Sequence, residues 1–202
     1  VLYGVRKKQW GHIYLHGEEV QIRNPGDALR LKIGLVPEDR KREGCILLQS
    51  IRDNICFCCI PEVCDGVVVN RDRVESVAQH YSEALQVKAP SLDQKVLALS
   101  GGNQQKVVIG KMLAAKADIL IFDEPTRGID VGTKHEIYRL MNDLCAEGKA
   151  FILVSSDMEE LLGMSDRIIV FHEKEMAGEV QREDFSQELI LAMASGLAQT
   201  EV

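Results

Sequence analysis

Four consecutive apolar residues, Ile119-Leu120-Ile121-Phe122, run directly into two carboxylates and a proline, Asp123-Glu124-Pro125. An unbroken aliphatic run of this length has no polar face, so it suits a strand covered on both sides, as in a parallel sheet between layers of helices. A proline two residues past the carboxylate that follows the run ends the strand. Asp123 is thereby placed at the carboxyl end of a buried strand, where open α/β sheets bind their ligands. A second run, Phe151 to Val154, has the same character, and Ile33 to Val36 makes a third, stopped by Pro37.

Between the strands the apolar spacing becomes helical. Asp72 to Leu85 carries Val74, Val77, Ala78, Tyr81 and Leu85. Gln104 to Ala115 carries Val107, Val108 and Met112, Val131 to Cys145 is a further helix, and Ser50 caps one that runs to Cys59 before Pro61. Short strands are expected at His12 to Leu15 and Val20 to Arg23, joined by a turn at Gly17. Pro25 and Gly26 then break the chain, and Ala28 to Lys32 gives a helical turn or two. Toward the C-terminus the expectation is a short helix at Met158 to Leu162 and strands at Ile168 to Phe171 and Glu175 to Val180. A last helix, capped by Asp184 or Ser186, runs to Ala194. Strand and helix alternate, so the fold class is α/β with a mostly parallel sheet. Residues 1–43 and 117–202 are expected to form the core lobe, with 44–116 as an inserted helical subdomain.

Composition narrows the function. A net charge of −7, with 24 basic against 31 acidic residues, and the lack of a basic block argue against nucleic acid as the partner. Six cysteines, at 45, 56, 58, 59, 64 and 145, fit neither a secreted disulfide framework nor a zinc spacing, and four of them fall in an apolar helix and its exit. Those four, Cys56, Cys58, Cys59 and Cys64, read as buried or half-buried thiols, and the cysteine pattern as a whole suits a reducing compartment. No apolar run nears the ~20 residues that span a bilayer.

Two carboxylates at a strand end have a plain reading, a solvated strand terminus, and a chemical one. In the second, Asp123 holds Mg²⁺ and Glu124 polarises an attacking water. Ser100-Gly101-Gly102, just ahead of a helix, is likewise ambiguous. It is either a serine cap after a glycine turn, or a helix start whose backbone N–H groups and positive dipole end receive a phosphate. Asp130 either caps the helix beginning at Val131, or faces a nucleotide, or does both.

Taken together, Leu99-Ser100-Gly101-Gly102-Asn103-Gln104-Gln105-Lys106, the strand ending at Asp123-Glu124, and Thr126-Arg127-Gly128-Ile129-Asp130 resemble the signature, Walker B strand and D-loop of ATP-binding-cassette ATPases, in that family's order. Gly102 to Lys106, Glu124 to Gly132, Val36 to Arg42 and Val154 to Glu160 look like the second cassette of bacterial monosaccharide importers of the ribose, galactose and xylose type. The resemblance implies a P-loop NTPase core, ATP and Mg²⁺ as cofactors, and hydrolysis of ATP to drive uptake of a sugar. It implies Ser100, Gly101, Gly102, Gln104, Asp130 and Glu38 as nucleotide-binding residues, Glu124 and Ser156 as catalytic positions, and Asp123 as the metal ligand with Glu38 as a second. The implied partners are an N-terminal cassette of the same parent chain, transmembrane permease subunits that meet the charged loop Glu38 to Glu43, and indirectly a sugar-binding protein. The implied location is the cytoplasmic face of the bacterial inner membrane.

The chain departs from the family pattern in three ways. No Gly-Lys-Ser or Gly-Lys-Thr occurs in it: Gly110-Lys111 is followed by Met112, and Gly148-Lys149 by Ala150. Val1 to Gly4 looks like the end of the helix after the phosphate loop, so that loop and the first strand are expected upstream. Glu38 stands where ordinary cassettes have the Q-loop glutamine, and Ser156 where they have the switch histidine. A serine cannot carry an imidazole's charge. The expectation is a chain that supplies a signature to another cassette's nucleotide and is not catalytic alone. Two alternatives are a soluble cassette ATPase of DNA repair or translation and a purely regulatory module. The short signature-to-carboxylate spacing and the acidic balance weigh against the first.

Overall fold

The computed structural model describes residues 1–197, so the last five residues of the expected core lobe lie outside the described residues. The elements in chain order are β1 (Tyr14–Leu15), β2 (Glu18–Glu19), α1 (Pro25–Arg30), β3 (Ile33–Val36), a π-helical turn (Arg40–Gly44), α2 (Ile51–Cys56), β4 (Cys64–Asp65), β5 (Val68–Val69), α3 (Arg71–Ala84), α4 (Gly101–Ala114), β6 (Ile119–Asp123), α5 (Val131–Ala146), β7 (Ala150–Val154), α6 (Met158–Met164), β8 (Arg167–His172), β9 (Glu175–Gln181) and α7 (Gln187–Ala194). The fold class is α/β. Two compact units make up the chain, Val1–Ile152 and Leu153–Val202, and the division falls inside β7.

In the first unit the central sheet has the order β3-β6-β7. β3 and β6 run parallel, with Ile33 opposite Ile119 and Val36 opposite Phe122. This register brings the ends of both strands to the same sheet edge, so Pro37-Glu38 and Asp123-Glu124 emerge side by side. Helices cover both faces of β3 and β6, which accounts for their unbroken apolar runs, whereas β7, expected to be buried, is the last strand in the order and leaves Ile152 and Val154 exposed. On one face Ala28 of α1 joins Ile22, Ile33 and Ile121 in a buried cluster. On the other, α4 lies so close to β3 that a Cβ on Gly34 would come within 3.1 Å of Met112 Cβ. Helices α2, α3 and α4 also pack on one another. Among the described residues no helix is long and apolar enough to cross a membrane.

Several boundaries differ from the sequence expectations, each for a local reason. Pro25 does not break the chain. It opens α1, because a helix's first residue needs no N–H donor, and Asn24 caps the turn by accepting from Asp27 N at 3.1 Å. The second strand of the first hairpin is Glu18–Glu19, not Val20 to Arg23, because the tight turn at Gly17 (φ +84°) pairs Leu15 with Glu18 at once. The loop 38–44 contains a π-helical turn, which Asp39 caps by accepting from Lys41 N and Arg42 N at 3.1 Å each. Helix α2 stops at Cys56, and Pro61 sits in a short 3₁₀ turn rather than ending a longer helix. The hairpin β4–β5 has no counterpart among the expected elements. At its turn Val67 is almost fully exposed, so the segment gives no burial pattern to read.

The second unit is built around the antiparallel pair β8–β9, joined at Glu173-Lys174 with both residues at positive φ (+47° and +73°). Ile168, Val170, Ala177, Val180, Ile190 and Met193 form its core, with Leu161, Leu162 and Phe185 against it. Ser186 caps α7 by accepting from Leu189 N, which settles the choice between Asp184 and Ser186.

Of the cysteines, Cys45, Cys56 and Cys59 are buried, Cys58 and Cys64 half-buried and Cys145 exposed, all as free thiols.

Candidate functional site

Helix α4 begins three residues earlier than the apolar spacing suggested, so Gly101 and Gly102 are in its first turn and Ser100 is its cap. Ser100 is exposed. Its Oγ accepts from Asn103 N at 3.4 Å and from Asn103 Nδ2 at 3.0 Å, and Asn103 is fixed in turn by accepting from Lys88 N at 2.9 Å. Gln104 N makes the first intrahelical bond, to Ser100 O at 2.9 Å. The helix geometry therefore offers the N–H groups of Gly101 and Gly102 no carbonyl of their own. Together with the positive dipole end, this makes the exposed start of α4 suited to an anion.

Both glycines have a further reason for lacking side chains. A Cβ on Gly102 would lie 2.1 Å from Thr133 Cγ2, and one on Gly101 would lie 2.6 Å from Arg40 Nη2. The family resemblance implies these glycines as nucleotide-binding residues; in the structure the space that a Cβ would take at each is occupied by the chain's own side chains. Thr133 stands in the first turn of α5, which Asp130 caps by accepting from Thr133 N at 2.9 Å and from Thr133 Oγ1 at 2.8 Å. These two bonds hold the Asp130 carboxyl below the usual carboxylate range. The starts of α4 and α5 are therefore packed together, and Asp130 acts as a cap whatever else it does.

Gln104, expected at the nucleotide, turns inward. It is 3% exposed, and its Nε2 donates to Val96 O at 3.2 Å and Leu99 O at 3.3 Å, shaping the loop that delivers Ser100. Glu38 is exposed and forms an ion pair with Arg127, so its carboxylate faces the loop after β6. A cleft of about 290 Å³ is lined by Glu38, Asp39, Arg40, Lys41 and Arg127.

Asp123 is the last residue of β6, and Glu124 follows it at φ +49°. The left-handed region is costly for any residue with a Cβ, of order 1–3 kcal/mol, and such strain clusters where function fixes the backbone. Nothing in the residue pattern announced it. The turn is closed by Arg127 N donating to Glu124 O at 3.1 Å and Ile129 N to Thr126 O at 3.2 Å, with Thr126 buried. Oxygen-only donors at the ends of adjacent parallel strands suit Mg²⁺, which takes one or two protein carboxylates and completes its shell with phosphate oxygens and water. Asp123 fits that requirement, while a ligand role for Glu38 requires its pair with Arg127 to open.

The remaining candidate, Ser156, belongs to the second unit. It lies in the loop between β7 and α6, next to Ser155, whose Oγ accepts from Asp157 N at 3.0 Å.

Helices α4 and α5 are also tied by a buried charge. Lys106 is 4% exposed, and its Nζ donates to Glu136 Oε2 at 2.7 Å and Gln86 O at 3.4 Å. Lys106, and after it Lys88, hold the Glu136 carboxyl below its ordinary value, so this contribution to stability is complete above the usual carboxylate range and is lost as pH falls through the lowered one. Losing Glu136 leaves an ammonium in the interior, whereas losing Lys106 leaves a half-exposed carboxylate that water can reach. Glu136→Ala is expected to cost about 2–3 kcal/mol and Lys106→Met less than ~1 kcal/mol. Urea midpoints of the two variants check this asymmetry.

Comparison with solved structures shows an ATP-binding-cassette fold. A nucleotide-free cassette from an ABC transporter superimposes with a TM-score of 0.74 at 20% identity, covering 96% of this chain and 77% of that one. The cassette MJ0796, solved as a dimer after hydrolysis with ADP and Pi, gives 0.71 at 22% identity, covering 90% and 77%. The profile of the ABC transporter family matches residues 1–127, and the chain belongs to that family. Among curated relatives, a ribose import ATP-binding protein, RbsA of Bacillus cereus, is 45% identical over 195 residues, 96% of this chain and 40% of that protein. The xylose import ATP-binding protein XylG of Moorella thermoacetica is 45% identical over 193 residues, 96% and 38%. The chain thus spans about two fifths of the length of the curated relatives it matches.

Proposed function

We propose that this chain is part of the ATP-hydrolysing subunit of an importer for a monosaccharide or similar small solute, and that the start of α4 serves a nucleotide held by another cassette. The observation that carries this reading is the exposed, Ser100-capped start of α4 in a chain that has a serine at 156 in place of the switch histidine. As the family resemblance implies, a phosphate received at this helix start belongs to a nucleotide bound by a different cassette. The parent's N-terminal cassette is the natural holder, with permease subunits and a sugar-binding protein as the further partners, at the cytoplasmic face of the membrane. The names of the relatives, ribose and xylose import proteins, support the substrate class.

Mg-ATP supplies the transferable phosphoryl group and the negative charge that the protein must balance. Against that charge the chain presents the Ser100 hydroxyl and the N–H groups of Gly101 and Gly102, fixed in advance by packing against Thr133 and Arg40, which is the preorganisation that electrostatic stabilisation needs. Asp123 would hold Mg²⁺ in the second nucleotide site, and Glu124 would orient water there. The sequence has a glutamate at 38, tied to Arg127, and a serine at 156, which favours a weakened second site beside a competent first one.

The reading predicts that this chain alone binds Mg-ATP weakly, with no saturation below millimolar nucleotide, because phosphate contacts from a glycine-rich loop are missing. Calorimetric titration checks it, and a micromolar Kd would overturn it.

A further inference from the structure

The structure assigns to Arg40 a role that the signature, the carboxylate strand and the loop after it do not cover. We infer that Arg40 is the positioning residue that locks the backbone of Arg127-Gly128 against the start of α4. This rests on the reading that the start of α4 acts on a nucleotide. Arg40 Nη1 donates to Arg127 O at 2.9 Å and Nη2 to Gly128 O at 3.4 Å. The same Nη2 lies 2.6 Å from the point where a Cβ on Gly101 would stand, and that point is 3.6 Å from Gly128 O. One guanidinium thus touches both segments, and its planar fork fits two carbonyls where a single ammonium does not.

The mounting of Arg40 is equally specific. It opens the π-helical turn Arg40–Gly44, a form of backbone that recurs at functional sites. The far end of that turn rides on α4. Lys111 Nζ donates to Gly44 O, Cys45 Sγ lies 3.8 Å from Gln104 O, and a Cβ on Gly44 would meet Val108 Cγ2 at 2.9 Å. The turn is therefore anchored to the body of α4, while its first residue reaches from there to the loop after β6. A second bridge, the Glu38–Arg127 ion pair, joins the same two loops. Arg40 Nε is buried without a hydrogen-bond partner. A cation beside a helix N-terminus also opposes that helix's own dipole. The fold keeps a residue that is poor for local stability, as expected when geometry at the helix start is what it secures.

The test uses the complete transporter, with steady-state ATPase rates and melting temperatures measured for each variant. Arg40→Ala is expected to lower kcat about tenfold or more with KM for ATP changed less than about twofold, because alignment and not ground-state binding is lost. Arg40→Lys is expected to fall with it. Gly101→Ala displaces the same guanidinium, so the double variant Arg40→Ala/Gly101→Ala should be no worse than the poorer single variant. Multiplicative losses, a wild-type rate for Arg40→Lys, or an effect confined to KM would each overturn the assignment. Should Arg40→Ala fail to fold, the Arg40→Lys rate and its cycle with Gly101→Ala decide the matter. Ser100→Arg is measured beside them. An active Ser100→Arg overturns the reading of α4. An inactive Ser100→Arg with wild-type kcat in Arg40→Ala overturns the role of Arg40 alone.

Discussion

If α4 serves another cassette's nucleotide as proposed, a Ser100→Arg substitution in the complete transporter is expected to reduce ATP turnover by about a hundredfold or more, the loss typical of removing a preorganised donor from a developing negative charge. The serine does two things that arginine undoes. Its Oγ accepts from Asn103 N and Nδ2, and a guanidinium accepts nothing, so the cap is lost at about 1 kcal/mol of helix stability. Its small side chain also leaves the approach to the Gly101 and Gly102 N–H groups open, and a long cation in its place closes that approach. Ser100→Ala separates the two effects, since it loses the cap but keeps the opening, and it should retain more activity than Ser100→Arg. Glu124→Gln is the informative contrast. Where α4 serves another cassette's nucleotide, Glu124 belongs to the weaker site, and its amide variant should keep turnover within about tenfold of wild type. Phosphate release by the transporter reconstituted with the proposed permease subunits measures all three. The reverse pattern, with Glu124→Gln inactive and Ser100→Arg active, would assign the competent site to the carboxylates of this chain.

The sequence was most legible where one physical demand fixed the residue types. The strand Ile119–Asp123 was read nearly whole, because burial on both faces admits only apolar residues and the carboxylates mark its exit. Caps were harder. Asn24, Ser100 and Asp130 all accept from N–H groups in the first turn, yet only the last was placed with the correct helix start. A proline at 25 and paired glycines at 101 and 102 look like breaks in a linear reading, although a first helical turn tolerates both. Tertiary choices left no local trace. The inward turn of Gln104 onto Val96 and Leu99, the pairing of Glu38 with Arg127, and the filling of the Gly102 Cβ space by Thr133 each depend on contacts that no local pattern encodes. The left-handed backbone at Glu124 belongs to this class, since a glutamate carries no hint that its φ is positive.

Phe122→Ala is expected to be the most destabilising single truncation in the sheet, at about 3–5 kcal/mol. Phe122 is fully buried as the penultimate residue of β6, opposite Val36 in the register, with its ring 5.2 Å from that of Phe151 and tilted 38° to it. Truncation removes the aromatic pair and leaves a void between β6 and β7 that close-packed neighbours cannot fill. For a chain of this length such a loss lowers the melting temperature by about 6–20 °C. Phe122→Leu keeps most of the volume and should cost less than about 1.5 kcal/mol. The leucine variant tests whether packing here does more than stabilise. Asp123 and the strained Glu124 follow directly on Phe122, so a ring that fixes the strand end also fixes where the carboxylates stand. On the proposed reading, Phe122→Leu in the complete transporter should therefore fold normally, yet hold Mg²⁺-nucleotide at the second site less tightly than wild type, read as a weaker Kd for a non-hydrolysable ATP analogue. Equal affinity in the two proteins would show that the Phe122 ring stabilises β6 without setting the position of its carboxylates.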